Sequence, residues 1–184
     1  MPPPRSRKLA IMGFRSVGKS SLSIQFVEGQ FVDSYDPTIE NTFHATLKHK
    51  GTDYTIDLVD TAGQDEYSVL PQSYVVDNHG YILVYSVTNR KSFEVVQDIR
   101  ERLLDLTGTK TLPILLVGNK TDLHMEREIS QEEGSGLAKR WQAAFMESSA
   151  KENKAVQLVF RTIIDEIEKQ QNGSEEKSDK CVVS

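Results

Sequence analysis

A glycine-containing segment near the start of the chain has the residue types and spacing of a phosphate-binding loop. Gly13 to Ser20 fits the pattern G-x-x-x-x-G-K-S, and it lies between a predicted strand and a predicted helix. Glycine lets backbone N–H groups surround a phosphate, and the dipole of the following helix adds positive potential. Lys19 would contact the β- and γ-phosphate oxygens, and the Ser20 hydroxyl would bind Mg²⁺. This segment predicts a nucleoside triphosphate ligand but leaves the base and the reaction open.

Three further polar segments follow predicted strands. They are Asp60 to Gln64, Asn119 to Asp122 and Ser148 to Lys151. An aspartate at a strand end can hold the water shell of Mg²⁺, and the N–H of Gly63 can meet a γ-phosphate. Ligands of parallel sheets bind at the carboxyl ends of the strands, so we expect the four segments to meet there.

The segment that ends in Asp122 indicates which base is bound. A buried carboxylate at this position can accept hydrogen bonds from the N1–H and the 2-amino group of guanine. Adenine offers neither donor, so a site built on Asp122 would reject it. The backbone N–H of Ala150 can read the guanine O6. The sequence therefore favours a guanine nucleotide.

The elements that must position these segments alternate between strands and helices. Apolar runs predict strands at 8–12, 42–50, 53–60, 80–87, 113–117 and 143–147. Apolar residues at helical spacing predict helices at 19–27, 92–105, 130–140 and 154–170. This alternation predicts an α/β fold, a doubly wound and mostly parallel six-stranded sheet with helices on both faces. Trp141, at the end of a predicted helix, is expected to pack rather than to bind a ligand.

Composition excludes several classes of protein. The 184 residues suit one domain, and 27 acidic residues against 22 basic ones argue against a nucleic-acid partner. A single cysteine leaves no internal disulfide. No apolar run approaches the ~18 residues that span a bilayer, and the first residues lack a secretory signal. Because apolar residues become scarce from Asn172 onward, we expect a monomeric folded domain over 1–171 and a disordered tail over 172–184.

The four segments, in this order and each at a strand end, resemble those of the Ras family of small GTPases. The resemblance covers about Arg7 to Gln170. It implies a P-loop fold that binds GTP or GDP with Mg²⁺ and that acts as a switch. The γ-phosphate would order two loops, and in-line attack of water on the γ-phosphorus would release them.

The resemblance also implies the residues that hold the nucleotide. Phe31 would lie across the guanine face, with Val32 and Asp33 near the ribose. Thr38 would join Ser20 on Mg²⁺ only when the γ-phosphate is present. The complete implied nucleotide-binding set is Ser16, Val17, Gly18, Lys19, Ser20, Ser21, Phe31, Val32, Asp33, Tyr35, Thr38, Gly63, Asn119, Lys120, Asp122, Ser149, Ala150 and Lys151.

The catalytic residues implied by the resemblance are Gln64, Lys19 and Tyr35. Gln64 would orient the attacking water, Lys19 would neutralise charge, and Tyr35 would lie over the phosphates. Arg15 stands where most Ras proteins carry glycine. Its bulk predicts slow hydrolysis and an activating protein that does not insert an arginine finger, unless Arg15 supplies the catalytic charge itself. Asn41 stands where most Ras proteins carry an aspartate in the effector loop, which argues against Ras-type effectors. The chain resembles one branch of the family more closely than the others, and that resemblance implies the TOR kinase complex as the effector.

The last four residues form a lipidation signal. Cys181 begins a C-a-a-X motif whose terminal serine favours a farnesyl group, which implies farnesyltransferase and a lipid membrane as partners. The tail offers neither a basic patch nor a second cysteine, so membrane binding would be reversible. We expect the protein on the cytoplasmic face of endomembranes (endoplasmic reticulum, Golgi and lysosome) and in the cytosol.

Two other functions remain open from the residues alone. A P-loop kinase would need a second substrate site and an arginine-bearing lid, and the sequence shows no arginine-rich insertion. A GTP-binding scaffold that does not hydrolyse its nucleotide is the second alternative, and Arg15 is compatible with it.

Overall fold

The computed structural model describes the greater part of the chain, namely residues 3–28, 41–60, 78–109, 111–149 and 153–182. The strands in these ranges are β1 Arg5–Gly13, β2 Asn41–His49, β3 Thr52–Asp60, β4 Gly80–Ser86, β5 Ile114–Asn119 and β6 Ala144–Glu147. The helices are α1 Lys19–Glu28, α2 Arg90–Thr107, α3 Gln131–Trp141 and α4 Asn153–Val182. A short 3-10 helix, Thr121–Glu126, follows β5.

The strands form one six-stranded sheet in the order β2-β3-β1-β4-β5-β6. β2 and β3 form an antiparallel hairpin, and the remaining neighbours are parallel. Lys50 and Gly51 make the hairpin turn, and both have positive φ. The predicted fold class is confirmed, and so is the predicted hairpin. Since all the parallel strands point the same way, their carboxyl ends share one edge of the sheet.

Apolar residues on both faces of the sheet explain its two layers of helices. In β1, Leu9 and Ile11 join a core cluster with residues of α1 and α4, whereas Ala10 and Met12 join a second cluster with α2 and α3. Every residue of β4 and β5 is buried. Burial on both faces is why these two strands appear in the sequence as continuous apolar runs.

Capping side chains set where α2 and α3 begin. The side-chain oxygen of Asn89 accepts hydrogen bonds from two backbone N–H groups of the first turn of α2. The Ser130 hydroxyl accepts one from the N–H of Glu133 at 3.1 Å. Such caps accept hydrogen bonds from backbone N–H groups of the first turn, which have no partner within the helix. At the other end of α3, Trp141 packs against the second core cluster under the guanidinium of Arg100, which confirms its packing role.

The last helix is longer than the sequence predicts. α4 continues to Val182, whereas the apolar pattern ends near Gln170 and the composition beyond it predicts disorder. The residues after 172 include several Glu and Lys, which have high helix propensity, and a helix already nucleated by packing extends at little cost. The division at residue 171 stays a prediction. No helix among the described residues is long and apolar enough to cross a membrane.

The hydroxyl of Tyr85 is buried without a hydrogen-bond partner among the described residues. Its ring lies edge-on to Phe93, with 4.9 Å between the centroids. A Cβ at Gly134 would come within 2.2 Å of the hydroxyl oxygen, so glycine there makes room for it. Burial raises the pKa of Tyr85 strongly above its usual value. The hydroxyl therefore stays neutral and contributes a desolvation penalty to folding.

Replacing Tyr85 by phenylalanine is expected to leave the free energy of unfolding unchanged or to raise it by about 1 kcal/mol, because an unpaired buried hydroxyl is removed. Tyr81→Phe is the matched control. The Tyr81 hydroxyl shares a hydrogen bond with Asn78, so this change should cost about 1 kcal/mol. Urea unfolding of both variants measures the difference. Equal losses in the two variants would show that the Tyr85 hydroxyl is paired.

Candidate nucleotide-binding site

The loop between β1 and α1 packs so tightly that two of its positions admit only glycine. A Cβ at Gly13 would lie 2.2 Å from the carbonyl oxygen of Val84. A Cβ at Gly18, where φ is +100°, would lie 2.3 Å from the amide nitrogen of Asn119. The loop therefore lies directly against the ends of the neighbouring strands. Backbone N–H groups of such a glycine-containing loop can surround a phosphate, and this role of the loop stays a prediction.

The ammonium of Lys19 places a positive charge against this loop. Its side chain is 5% exposed, and its ammonium donates hydrogen bonds of 3.0 Å to the carbonyls of Gly13 and Phe14. Ser20, the next residue of α1, is also buried. The first turn of α1 contains no acidic residue. The ammonium, the helix dipole and the loop N–H groups together form an environment that attracts an anion.

The side chain of Asn119 links three of the four predicted segments. It is 1% exposed, and its amide nitrogen donates to the carbonyl of Val17 at 2.9 Å. Its amide oxygen accepts a hydrogen bond of 3.2 Å from the Ser148 hydroxyl. The sequence indicates Asn119 as a nucleotide contact but gives no sign of this linking role. Ser148 is a residue that the predicted site omits, although it stands next to Ser149.

Lys120 holds the phosphate loop from the other side. Its backbone adopts a left-handed conformation with φ of 68°, and its ammonium donates to the carbonyl of Ser16 at 2.7 Å. Ser16 is itself left-handed, with φ of 61°. Lys19 and Lys120 therefore both bind carbonyls of the same loop.

Asp122 is oriented by its neighbour Ser149. The Ser149 hydroxyl donates to a carboxylate oxygen of Asp122 at 2.9 Å, which brings the third and fourth segments together as predicted. The expectation that Asp122 is buried is wrong. It is exposed, because it belongs to the 3-10 helix Thr121–Glu126, which contributes no buried residue to the core.

A bidentate ion pair fixes the chain after this 3-10 helix. The guanidinium of Arg127 donates to both carboxylate oxygens of Glu147, at 2.7 and 3.0 Å. The hydrogen bonds that Arg127 donates to Glu147 raise the pKa of Arg127 above its usual value, so the pair stays charged. The pair joins the loop to β6. Twenty residues separate the partners, so no local pattern in the sequence could reveal the contact.

The described part of the predicted site gathers at one edge of the sheet. It comprises Ser16, Val17, Gly18, Lys19, Ser20, Ser21, Asn119, Lys120, Asp122 and Ser149. The remaining predicted residues lie outside the described ranges; these are Phe31, Val32, Asp33, Tyr35, Thr38, Gly63, Gln64, Ala150 and Lys151. Asp60 ends β3 beside Ile11 of β1, so the segment that follows it starts at the same edge.

Comparison with known proteins gives a consistent result. A family model described as the Ras family matches residues 8–169. The chain is 62% identical over 183 residues to the GTP-binding protein Rheb of Homo sapiens, and the match covers both proteins fully. It is 58% identical over 182 residues to the GTP-binding protein Rheb homolog of Drosophila melanogaster, covering 99% of this chain and 100% of that protein. The GTP-binding protein rhb1 of Schizosaccharomyces pombe is 51% identical over 185 residues, with full coverage of both.

Replacing Asp122 by asparagine is expected to weaken GTP binding and to favour xanthosine triphosphate, because xanthine carries a carbonyl where guanine carries the amino group. The loss for GTP should reach about 1–3 kcal/mol, the cost of leaving polar groups unpaired once the bound base excludes water from them. A competition titration with both nucleotides measures it. Asp53→Asn, on the exposed hairpin, is the control. Unchanged GTP affinity in Asp122→Asn would remove Asp122 from the base site.

Proposed function

The chain belongs to the Ras family of small GTPases, and on that premise we propose that it is a membrane-attached switch that activates the TOR kinase complex when it holds GTP. It binds GTP and hydrolyses it to GDP and phosphate. The observation that supports the nucleotide site most strongly is the phosphate loop held by Lys19, Asn119 and Lys120. Family membership removes both alternatives, the P-loop kinase and the scaffold that does not hydrolyse its nucleotide.

Hydrolysis would depend on positioning and on charge neutralisation. The Lys19 ammonium is already desolvated and donates hydrogen bonds to carbonyls of the loop. It could exchange these hydrogen bonds for ones to β- and γ-phosphate oxygens. Gln64 would orient the attacking water, and Tyr35 would cover the phosphates. We expect a slow intrinsic rate, at or below the ~10⁻⁴ s⁻¹ scale of the unaided family.

The residues present fit a magnesium ion beside the phosphates. The Ser20 hydroxyl stands at the start of α1 next to Lys19 and is shielded from solvent. A hydroxyl oxygen is the kind of ligand that Mg²⁺ accepts in nucleotide sites. Thr38 would be the second protein ligand, present only in the GTP state. When bound, the ion would neutralise the charge that develops on the β- and γ-phosphate oxygens.

The switch would operate through Thr38 and Gly63, which the γ-phosphate holds and hydrolysis releases. An activating protein that inserts an arginine finger would meet the guanidinium of Arg15, which is exposed in the phosphate loop. Two guanidinium groups in one site repel each other. We therefore infer that the activating protein of this GTPase supplies a different group.

Replacing Thr38 by alanine is expected to spare GDP binding and to abolish binding of the TOR kinase complex, because Thr38 would engage only when the γ-phosphate is present. Co-precipitation of the complex with protein loaded with a non-hydrolysable GTP analogue measures the loss. Thr46→Ala is the matched control, since Thr46 is an exposed threonine of β2. Normal binding by Thr38→Ala would refute the proposed switch.

The course of α4 supports the proposed lipid anchor. Glu168 of α4 pairs with Arg5 and Arg7 at the amino end of β1, which is the edge opposite the nucleotide site. Cys181 lies beyond this contact, about 20 Å further along the helix at 1.5 Å per residue. Farnesylation there by farnesyltransferase would leave the nucleotide site facing away from the lipid. One lipid gives reversible binding, so we propose endomembranes and cytosol as the locations.

Replacing Cys181 by serine is expected to move the protein entirely to the soluble fraction while its GTP affinity stays unchanged. Ser184→Leu is the matched control, because terminal leucine favours a geranylgeranyl chain and preserves attachment. Membrane fractionation and a nucleotide titration of both variants measure these effects. A Cys181→Ser protein that stays in the membrane fraction would show that the tail is not the anchor.

A further inference from the structure

Arg15 lies in the phosphate loop with its guanidinium over the ring of Phe14. Its Cζ atom is 5.3 Å from the ring centroid, inside the ~6 Å range in which the ring face attracts a cation. Arg15 is otherwise exposed. Among the described residues, the ring is therefore the contact that gives this charge a preferred position.

The ring of Phe14 is a fixed platform. It is partly buried and packs against both core clusters of the sheet. Its position is thus set by the fold and not by Arg15. A guanidinium that the ring attracts at this distance is less available to a phosphate.

The backbone on both sides of Arg15 is held by lysine side chains. The carbonyl of Phe14 accepts a hydrogen bond from Lys19 at 3.0 Å, and the carbonyl of Ser16 accepts one from Lys120 at 2.7 Å. The contact of Lys120 with Ser16 does not depend on Lys19, so it still holds the loop after the Lys19 ammonium has moved to the phosphates. The side-chain torsions of Arg15, and the ring that attracts it, therefore decide where the charge lies.

We propose that Phe14 is a positioning residue that holds the Arg15 guanidinium away from the phosphates and so lowers the preference of the loop for GTP over GDP. The reason is electrostatic. A guanidinium released from the ring can approach the terminal phosphate, and GTP carries more negative charge at that end than GDP. The proposal rests on the proposed nucleotide site.

The test is the ratio of GTP to GDP affinity in Phe14→Leu. This change keeps an apolar side chain against the core but removes the ring face. We expect the ratio to rise about two- to fivefold, which is the range that an exposed cation–ring contact supports. The increase in the GTP-to-GDP affinity ratio should be smaller at 500 mM salt than at 50 mM salt, because salt screens the charge of a solvent-exposed guanidinium. Phe14→Tyr keeps a ring and should keep the original ratio.

The same change in an Arg15→Gln background separates positioning from packing. There Phe14→Leu should leave the ratio unchanged, since no charge remains to be released. A ratio that rises equally in both backgrounds, or that rises in neither, would overturn the proposal. Phe14→Met serves the same comparison if Phe14→Leu does not fold. Failure of the wild-type protein to bind either nucleotide would instead refute the proposed site, so the two failures are distinguishable.

Discussion

The hydrogen bonds of one buried amide, that of Asn119, hold the proposed nucleotide site together. Its nitrogen binds the carbonyl of Val17 and its oxygen accepts from Ser148. These contacts join the loops that follow β1, β5 and β6. Gly18 allows the approach, because a Cβ there would collide with the same amide. Buried polar groups need satisfied partners, so the three loops keep their positions only as a set.

The sheet makes that set possible by controlling where its strands end. Val17 packs into the first core cluster, so the phosphate loop is anchored from below by apolar contact and from the side by Asn119. The neighbours β4 and β5 are buried along their whole length. The buried strands thus support the polar residues at the edge of the sheet. The Lys19 and Lys120 ammonium groups stabilise the phosphate loop further by donating hydrogen bonds to its carbonyls.

The sequence was most informative where burial of a strand or a close approach of the backbone allows only certain residue types. Buried strands required continuous apolar runs, and the tight loop required Gly13 and Gly18, so the fold class and the loop could both be predicted. Contacts between distant residues, such as Arg127 with Glu147 and Asn119 with Val17, leave no spacing to detect. The exposure of Asp122 also escaped prediction, because it depends on how a 3-10 helix sits outside the core.

The ion pairs of Glu168 with Arg5 and Arg7 have a consequence for the layout of the chain. Arg7 is largely shielded from solvent in this contact, and its guanidinium donates a further hydrogen bond to the side-chain oxygen of Gln171. The start of β1 and the middle of α4 are therefore neighbours on one side of the molecule. A fluorescent protein or affinity tag joined ahead of residue 3 would emerge on the same side of the molecule as the carboxyl-terminal tail. The nucleotide site would stay accessible for exchange of GDP and GTP. The added protein would instead lie on the side of the molecule where the tail contacts its partner surface.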